Sequence, residues 1–415
     1  MQQIRVRRFL TPEFLFVNYF WMVTVTAVLH RTVGIGWLST LVHPIVIYSF
    51  LFRKSIYVHL NVMDMMWILI FLWMTLTWTY NDYPHDGILI IRCLASQIAY
   101  MMAYWISRRT TQNMIGIIIK KAYIPLVITS VIGIYCFFFR PEWYVQMITD
   151  SLYNREGTIT ENMYLEAFRL RSIFPSPYTL AYFCSIVLIY EFFLVFGNKI
   201  KNAGKHYVLI GLLIITLILA MMRAPMVCTV VGLLMAIYSG YRYGKISGTI
   251  IFKVFLIMII LLCIPIVLNK MDSESNKFFL SKITSVTENT EDFIEYRLFL
   301  DQRDSGLLGD GVGRHDMHAD KYNPGTSIRD GEYMKIIQEQ GYIGLTLFVI
   351  LCFIALCKCL VDFKHLSFEL CLLIMLLVCM IGANPLSAGD KHTIIFWLAL
   401  GQIARHKTVY TRLKI

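Results

Sequence analysis

The sequence predicts an all-α polytopic membrane protein of about 12 transmembrane helices with two long outward-facing loops, residues 140–177 and 269–340. Three observations carry that prediction. Apolar residues come in uninterrupted blocks long enough to cross a hydrocarbon core of roughly 30 Å, which takes about 20 helical residues. Lipid offers no partner to an exposed amide, so such blocks must be helices or a closed barrel, and the lack of period-2 alternation selects helices. Basic residues gather in short clusters between the blocks, where they set orientation. With 57% hydrophobic and 16% charged residues over 415 positions, the chain is too apolar for a soluble domain.

Taken in order, the first span, about 14–30, follows Arg5, Arg7 and Arg8. No small-residue cleavage site follows it, so it reads as a retained helix rather than a signal peptide. A turn through Arg31 and Gly34 leads to the second, about 35–52, which ends at Arg53-Lys54. The third (about 63–80) and fourth (about 87–106) flank the polar turn 81–86, and Arg108-Arg109 closes the pair. The fifth, about 122–139, opens into the first long loop. The sixth, about 178–196, precedes Lys199, Lys201 and Lys205. The seventh and eighth, about 207–222 and 224–240, meet at Arg223. The ninth, about 250–268, feeds the second long loop, and the tenth, about 341–360, leaves it. The eleventh and twelfth, about 366–384 and 391–404, precede a basic tail. The segments assigned to the cytoplasm then carry twenty Lys and Arg, against Arg31, Arg223 and Lys391 in the short outer turns. Both termini are therefore expected in the cytoplasm and both long loops outside.

Residues 1–415 read as a single integral membrane domain, with no internal repeat and no low-complexity linker. The net charge of +11 lies in the topology-setting clusters, which argues against a nucleic-acid partner and leaves the lipid bilayer as the first partner. All ten cysteines lie in or at the ends of spans, so neither a disulfide framework nor a zinc pattern is implied.

Chemistry is expected in the second loop, the longest polar interval in the chain. Arg297 rides on an amphipathic stretch, 291–302, either paired with Asp301 or gripping an anion through its planar guanidinium. Gly309, Gly311 and Gly313 read as a sharp, close-approach turn, because no buried strand precedes them as a phosphate loop requires. His315 and His318 have a usable metal spacing but no third ligand nearby, so no metal is expected. Asp330 and Glu332 open the tenth helix. They are either a cap, with Ser327 and Asp330 in capping-box spacing, or a general base. Arg169 and Arg171 precede the sixth span, and Arg223 sits in the seventh–eighth turn. Arg92 lies within the fourth span, facing a polar interior or snorkelling.

In their order along the chain these features resemble the O-antigen polymerase and O-antigen ligase superfamily of bacterial cell-envelope glycosyltransferases. The motifs are Arg169/Arg171 followed by Phe174-Pro-x-Pro177, the Arg223 turn, and Arg297 followed after fifteen residues by Gly313. Asp330-Gly-Glu-Tyr333 and Glu339-Gln-Gly341-Tyr-Ile-Gly344-Leu complete the set. The resemblance implies a cofactor-free, metal-independent enzyme of the cytoplasmic membrane that moves a glycan from a polyprenyl-diphosphate lipid onto an acceptor sugar. Arg169, Arg171, Arg223 and Arg297, with Gly313 and Tyr333, would hold the diphosphate and substrate. Asp330 or Glu332 would act as base, and Arg297 would stabilise developing charge. Ligases usually carry His where Asp330 stands, which favours a polymerase of lipid-linked repeat units, and Met222 replaces the usual Ser before Arg223. A chain-length regulator and a flippase of the same pathway are the implied protein partners. A ligase is the nearest alternative. A lipid-linked oligosaccharide flippase or other transporter is the alternative from another class, which should place charges at mid-membrane on discontinuous helices. The sequence shows its charges mainly in the outer loops, with only Arg92 inside a span.

Overall fold

The computed structural model describes residues 11–33, 42–52, 59–79, 87–146, 148, 169–174, 176–197, 203–243, 306–315, 331–381, 384–386 and 391–406. Among these residues every regular element is a helix. In chain order they are α1 (Pro12–Val17), α2 (Tyr19–Val33), α3 (Val42–Phe52), α4 (Val62–Thr79), α5 (Gly87–Arg108) and α6 (Met114–Phe139). There follow α7 (Pro177–Phe196), α8 (Ala203–Ala220), α9 (Arg223–Arg242), α10 (Glu332–Val361), α11 (Phe363–Cys379) and α12 (Thr393–Arg405). Five of them, α4, α6, α7, α9 and α10, are long and apolar enough to cross a membrane. α2, α3, α8 and α12 contain shorter apolar helices. The expected ninth span, 250–268, lies outside the described residues, as do 291–302 and the side chain of Arg92.

The outer surfaces of these helices are apolar. α10 exposes Val349, Ile350, Phe353, Leu360 and Val361, and α6 exposes Ile124, Ile128, Val131, Phe138 and Phe139. A helix facing water carries polar residues on that side, so apolar exposure on both faces matches a hydrocarbon surround. Two helices form the centre. α7 buries every residue from Thr179 to Ile189 among α6, α8, α9 and α11. α12 buries Thr393 through Ala404 against α5, α10 and α11.

Close helix contact in a bilayer rests on small residues, because burial against another helix gains little over burial in lipid. Gly401 of α12 is such a contact: a Cβ there would lie 2.1 Å from the Tyr104 carbonyl oxygen of α5. Backbone cannot step aside as a side chain can, so Gly401→Ala must move the two helices apart. The expected cost is about 1–3 kcal/mol, read as a lowered unfolding midpoint in detergent.

Alternating helix direction separates two ends. At one, Asn61 and Asp64 form a reciprocal cap at the start of α4: Asp64 N donates to Asn61 Oδ1 (3.0 Å) and Asn61 N to Asp64 Oδ2 (2.8 Å). Asp64 also receives Arg108 Nη2 at 3.0 Å and the Tyr104 hydroxyl at 2.6 Å. Lys358 Nζ and Asn61 Nδ2 both donate to the Ala404 carbonyl, gathering the ends of α10 and α12 there. The other end gathers residues 169–174, 176–177, 219–223, 306–315, 331–341, 377–381, 384–386 and 391–392.

The expectation that charges avoid the helices is corrected here. Asp64, Glu191, Lys335, Glu339 and Glu369 are all buried within helices. Hydropathy averaged over a span conceals a single charge, and pairing makes burial tolerable. Glu191 accepts from the Tyr123 hydroxyl and lies 2.5 Å from His206 Nδ1, while Glu369 accepts from Gln402 Nε2 at 2.5 Å.

Candidate functional site

The second end holds every described residue of the expected site. Its base is the start of α10. Gly331, with φ 108°, occupies the N-cap position without a side-chain cap, and α10 begins at Glu332, well before the predicted span. The expected capping box of Ser327 and Asp330 lies outside the described residues. Glu332 is buried, and its contacts tie three segments together. Its backbone N–H donates to the Met380 carbonyl after α11 (3.0 Å), and its Oε2 accepts the Leu386 N–H (2.8 Å). Tyr333 donates its hydroxyl to the Leu377 carbonyl at 3.0 Å, so it braces α10 against α11.

Spacing along α10 adds Lys335, Gln338 and Glu339 to the already assigned Glu332. Glu332, Lys335 and Glu339 stand at i, i+3 and i+7, one face of a helix, and all are nearly inaccessible; Gln338 is buried beside them. Sequence showed this polar stripe at the head of an apolar helix, and its periodicity could have singled it out. The face borders a cavity of about 50 Å³ lined by Gln97 and Tyr100 of α5, Trp397 of α12, and Glu332, Lys335, Glu339 and Gln340 of α10. That volume holds a few waters or one hydroxyl-bearing group.

α10 is broken above the cavity. Gly341 adopts φ 69° and ψ −177°, outside the helical region. The amides after it turn away from the carbonyls before it, and other donors satisfy those carbonyls. Asp310 N donates to Gln338 O (2.7 Å), Gly311 N to Glu339 O (2.9 Å), and Trp73 Nε1 to Gln340 O (2.8 Å). Beyond the break, Ile343 N donates to Leu307 O at 3.4 Å. The glycine turn is thus a clasp on the broken helix. Gly309, Gly311 and Gly313 all have positive φ, and Gly309 approaches Gly341 so closely that a Cβ on Gly309 would meet Gly341 N at 2.4 Å. Gly313 sits in the turn rather than at the cavity. His315, buried, donates its backbone N–H to Glu339 Oε1 (3.3 Å) and lies 2.9 Å from Asp310 Oδ2 through Nε2. His318 lies outside the described residues.

The arginines form a second group at this end. Ser176 caps α7 and Pro177 starts it, which fixes where the preceding segment leaves the helix. That segment crosses the α8–α9 turn: Leu170 N donates to Leu219 O (3.1 Å), and Arg169 Nη1 reaches Met222 Sδ (3.7 Å). Arg171 is buried, whereas Arg223, the first residue of α9, is exposed. Met222 thus meets Arg169 through its sulfur where the resemblance expects a serine. Arg169, Arg171 and Arg223 do not line the cavity. Arg297 and Asp330 lie outside the described residues, so the link between arginines and carboxylates is not among the described contacts.

His392, just before α12, went unremarked in the sequence. It is fully buried and stacks on Tyr182 with ring centroids 3.8 Å apart, and neither ring nitrogen has a hydrogen-bond partner among the described residues. His392→Phe keeps the stacking and removes two buried nitrogens without partners, so its unfolding midpoint in detergent should equal or exceed that of wild type.

No protein-family model matches the chain, and no curated protein matches it.

Proposed function

We propose that the chain is a bacterial cytoplasmic-membrane glycosyltransferase that polymerises polyprenyl-diphosphate-linked oligosaccharide repeat units into a surface polysaccharide. In this reading it crosses the membrane about 12 times, with both termini cytoplasmic and the clasped end outside. The observation that carries the proposal is the buried carboxylate–lysine–carboxylate face of Glu332, Lys335 and Glu339 beside a small cavity. Arg169, Arg171 and Arg223 lie at the same end, in the order the family resemblance implies.

The chemistry follows from those groups. The donor sugar carries a good leaving group, so the protein has to deprotonate an acceptor hydroxyl and neutralise the departing diphosphate. Glu332, or Asp330 two residues ahead, takes the hydroxyl proton as the acceptor oxygen bonds to the anomeric carbon. The carbon–oxygen bond to the diphosphate breaks, and Arg297 with the other arginines receives the negative charge. Lys335 stands between Glu332 and Glu339 on the same helix face, so the candidate base carries a cation beside it.

A transporter of lipid-linked oligosaccharides is the second reading, and one observation favours it: α10 is discontinuous at Gly341 with buried charges before the break. Glycan ladders from cells lacking this gene, complemented with wild type, Glu332→Gln or Arg297→Ala at matched membrane abundance, separate the readings. Polymerisation predicts single repeats in the deletion strain and a loss of about 10²–10⁴ in polymer yield with Glu332→Gln. Full-length polymer left on its lipid carrier would make the chain a ligase. Lipid-linked repeats held on the cytoplasmic face would make it a transporter.

A further inference from the structure

We infer that Cys228 of α9 and Cys379 of α11 are joined by a disulfide that ties these helices together beside the candidate site. The described cysteines are all free thiols in this structure, and among them these two alone have their sulfurs in contact, at 2.7 Å, inside the distance at which unbonded sulfurs rest. Both are buried, Cys379 is the last residue of α11, and Cys228 is five residues into α9. The surroundings accept the bonded form. The Tyr182 hydroxyl donates to Cys379 Sγ (3.3 Å), and a disulfide sulfur keeps the lone pair that it needs. Cys228 Sγ donates to the Met375 carbonyl (3.4 Å), which the bonded form gives up. That carbonyl stands four residues before Cys379 in α11, so the helix itself supplies its amide partner.

The link closes a ring over 151 residues, and the second long loop with Arg297, Gly313 and Asp330 springs from inside it. It also fixes the end of α11, whose Leu377 and Met380 carbonyls hold Tyr333 and Glu332. The bond forms by exchange with an oxidising protein disulfide. One cysteine thiolate attacks a carrier sulfur, giving a mixed disulfide and one carrier thiol, and the second thiolate displaces the other carrier thiol. Both protons and both electrons end on the carrier. The sulfurs are inaccessible once α9 packs on α11, which puts the exchange during assembly. Such an oxidant works outside the cytoplasm, so the inference rests on the outward placement of this end.

The test is differential alkylation of the full chain in isolated membranes. Free thiols are blocked with N-ethylmaleimide in denaturant, disulfides are then reduced, and the released thiols take isotopic iodoacetamide before digestion and mass spectrometry. Cys228 and Cys379 should carry only the second label and appear, before reduction, as linked peptides lighter by two hydrogens. Cys136, Cys352 and Cys371 should carry the first. In Cys228→Ala, Cys379 should move to the first label. Placement is read separately, with Leu308→Cys, at an exposed position of the same end, and an impermeant maleimide. If Leu308→Cys labels from outside while Cys228 and Cys379 are both free, the inference is overturned. If Leu308→Cys labels only from inside, the outward placement falls, and diamide treatment of those membranes decides the pair: linkage supports it, and two free thiols overturn it.

Discussion

Replacing Arg108 with methionine is expected to lower stability by about 3–5 kcal/mol, enough to unfold much of the protein in mild detergent. Asp64 has no exposed surface, and Arg108 contacts both of its oxygens: Nε lies 3.0 Å from Oδ1 and Nη2 lies 3.0 Å from Oδ2. Removing the guanidinium leaves a carboxylate with the Tyr104 hydroxyl and the Asn61 amide but no hydrogen-bonded counter-charge, only the cation of Lys358 nearby. The His59 carbonyl, which accepts from Arg108 Nη2 at 2.8 Å, loses its donor as well. Removing both charges is a smaller insult, since no buried ion remains. Asp64→Leu with Arg108→Met should therefore recover most of the single-variant loss, short of the cap on α4 and the Tyr104 partner. Unfolding midpoints of the two single variants and the double variant in one detergent give the coupling directly. A double variant no better than Arg108→Met would mean that the pair stabilises through shape rather than charge.

This pair also marks what the sequence could and could not disclose. Apolar blocks read as helices because the backbone has no alternative in lipid, and α4 to α12 fall close to their expected places. The start of α10 does not, because residues 332–340 carry five charged or amide side chains and score as loop by composition. Glu332, Lys335 and Glu339 nevertheless repeat with helical spacing. Which neighbours make their burial tolerable is a tertiary property: Leu386 and Met380 come from more than forty residues away.

The candidate site divides in the same way. The close-approach role of the glycine turn was legible, since several glycines in alternate positions mark backbone that must come near something. Its partner was not, because Gly341 looked like part of a motif rather than the break in a helix. Tyr333 was expected at the substrate; its hydroxyl donates to the Leu377 carbonyl, bracing α10 on α11. Arg169, Arg171 and Arg223 do gather at one turn, a proximity that follows once Pro177 starts α7 and Arg223 starts α9 at the same end.

On the function proposed above, Gly341→Ala should abolish glycan polymerisation while costing the fold only about 1–3 kcal/mol. The argument is steric and local. A Cβ at 341 would lie 2.2 Å from the Leu307 carbonyl oxygen, 2.5 Å from its carbon and 2.6 Å from Gly309 N, all of them backbone. The residue also holds φ 69°, which an L side chain rarely adopts. Two responses are open: α10 straightens at 341, or the 307–311 turn lifts away. Either one breaks the bonds from Asp310 and Gly311 to the carbonyls of Gln338 and Glu339, and with them the contact of His315 N with Glu339 Oε1. Glu339 and its neighbours on the cavity face then lose the geometry that a positioned base needs. Gly309→Ala strikes the same contact from the other side, so the double variant should be little worse than either single one. Gly211→Ala, in α8 with nothing within 4 Å of its Cβ, is the matched control and should be neutral or slightly stabilising. Membrane abundance and ladder length, measured together, separate the two effects. A full ladder from Gly341→Ala at normal abundance would mean that the clasp does not hold the site.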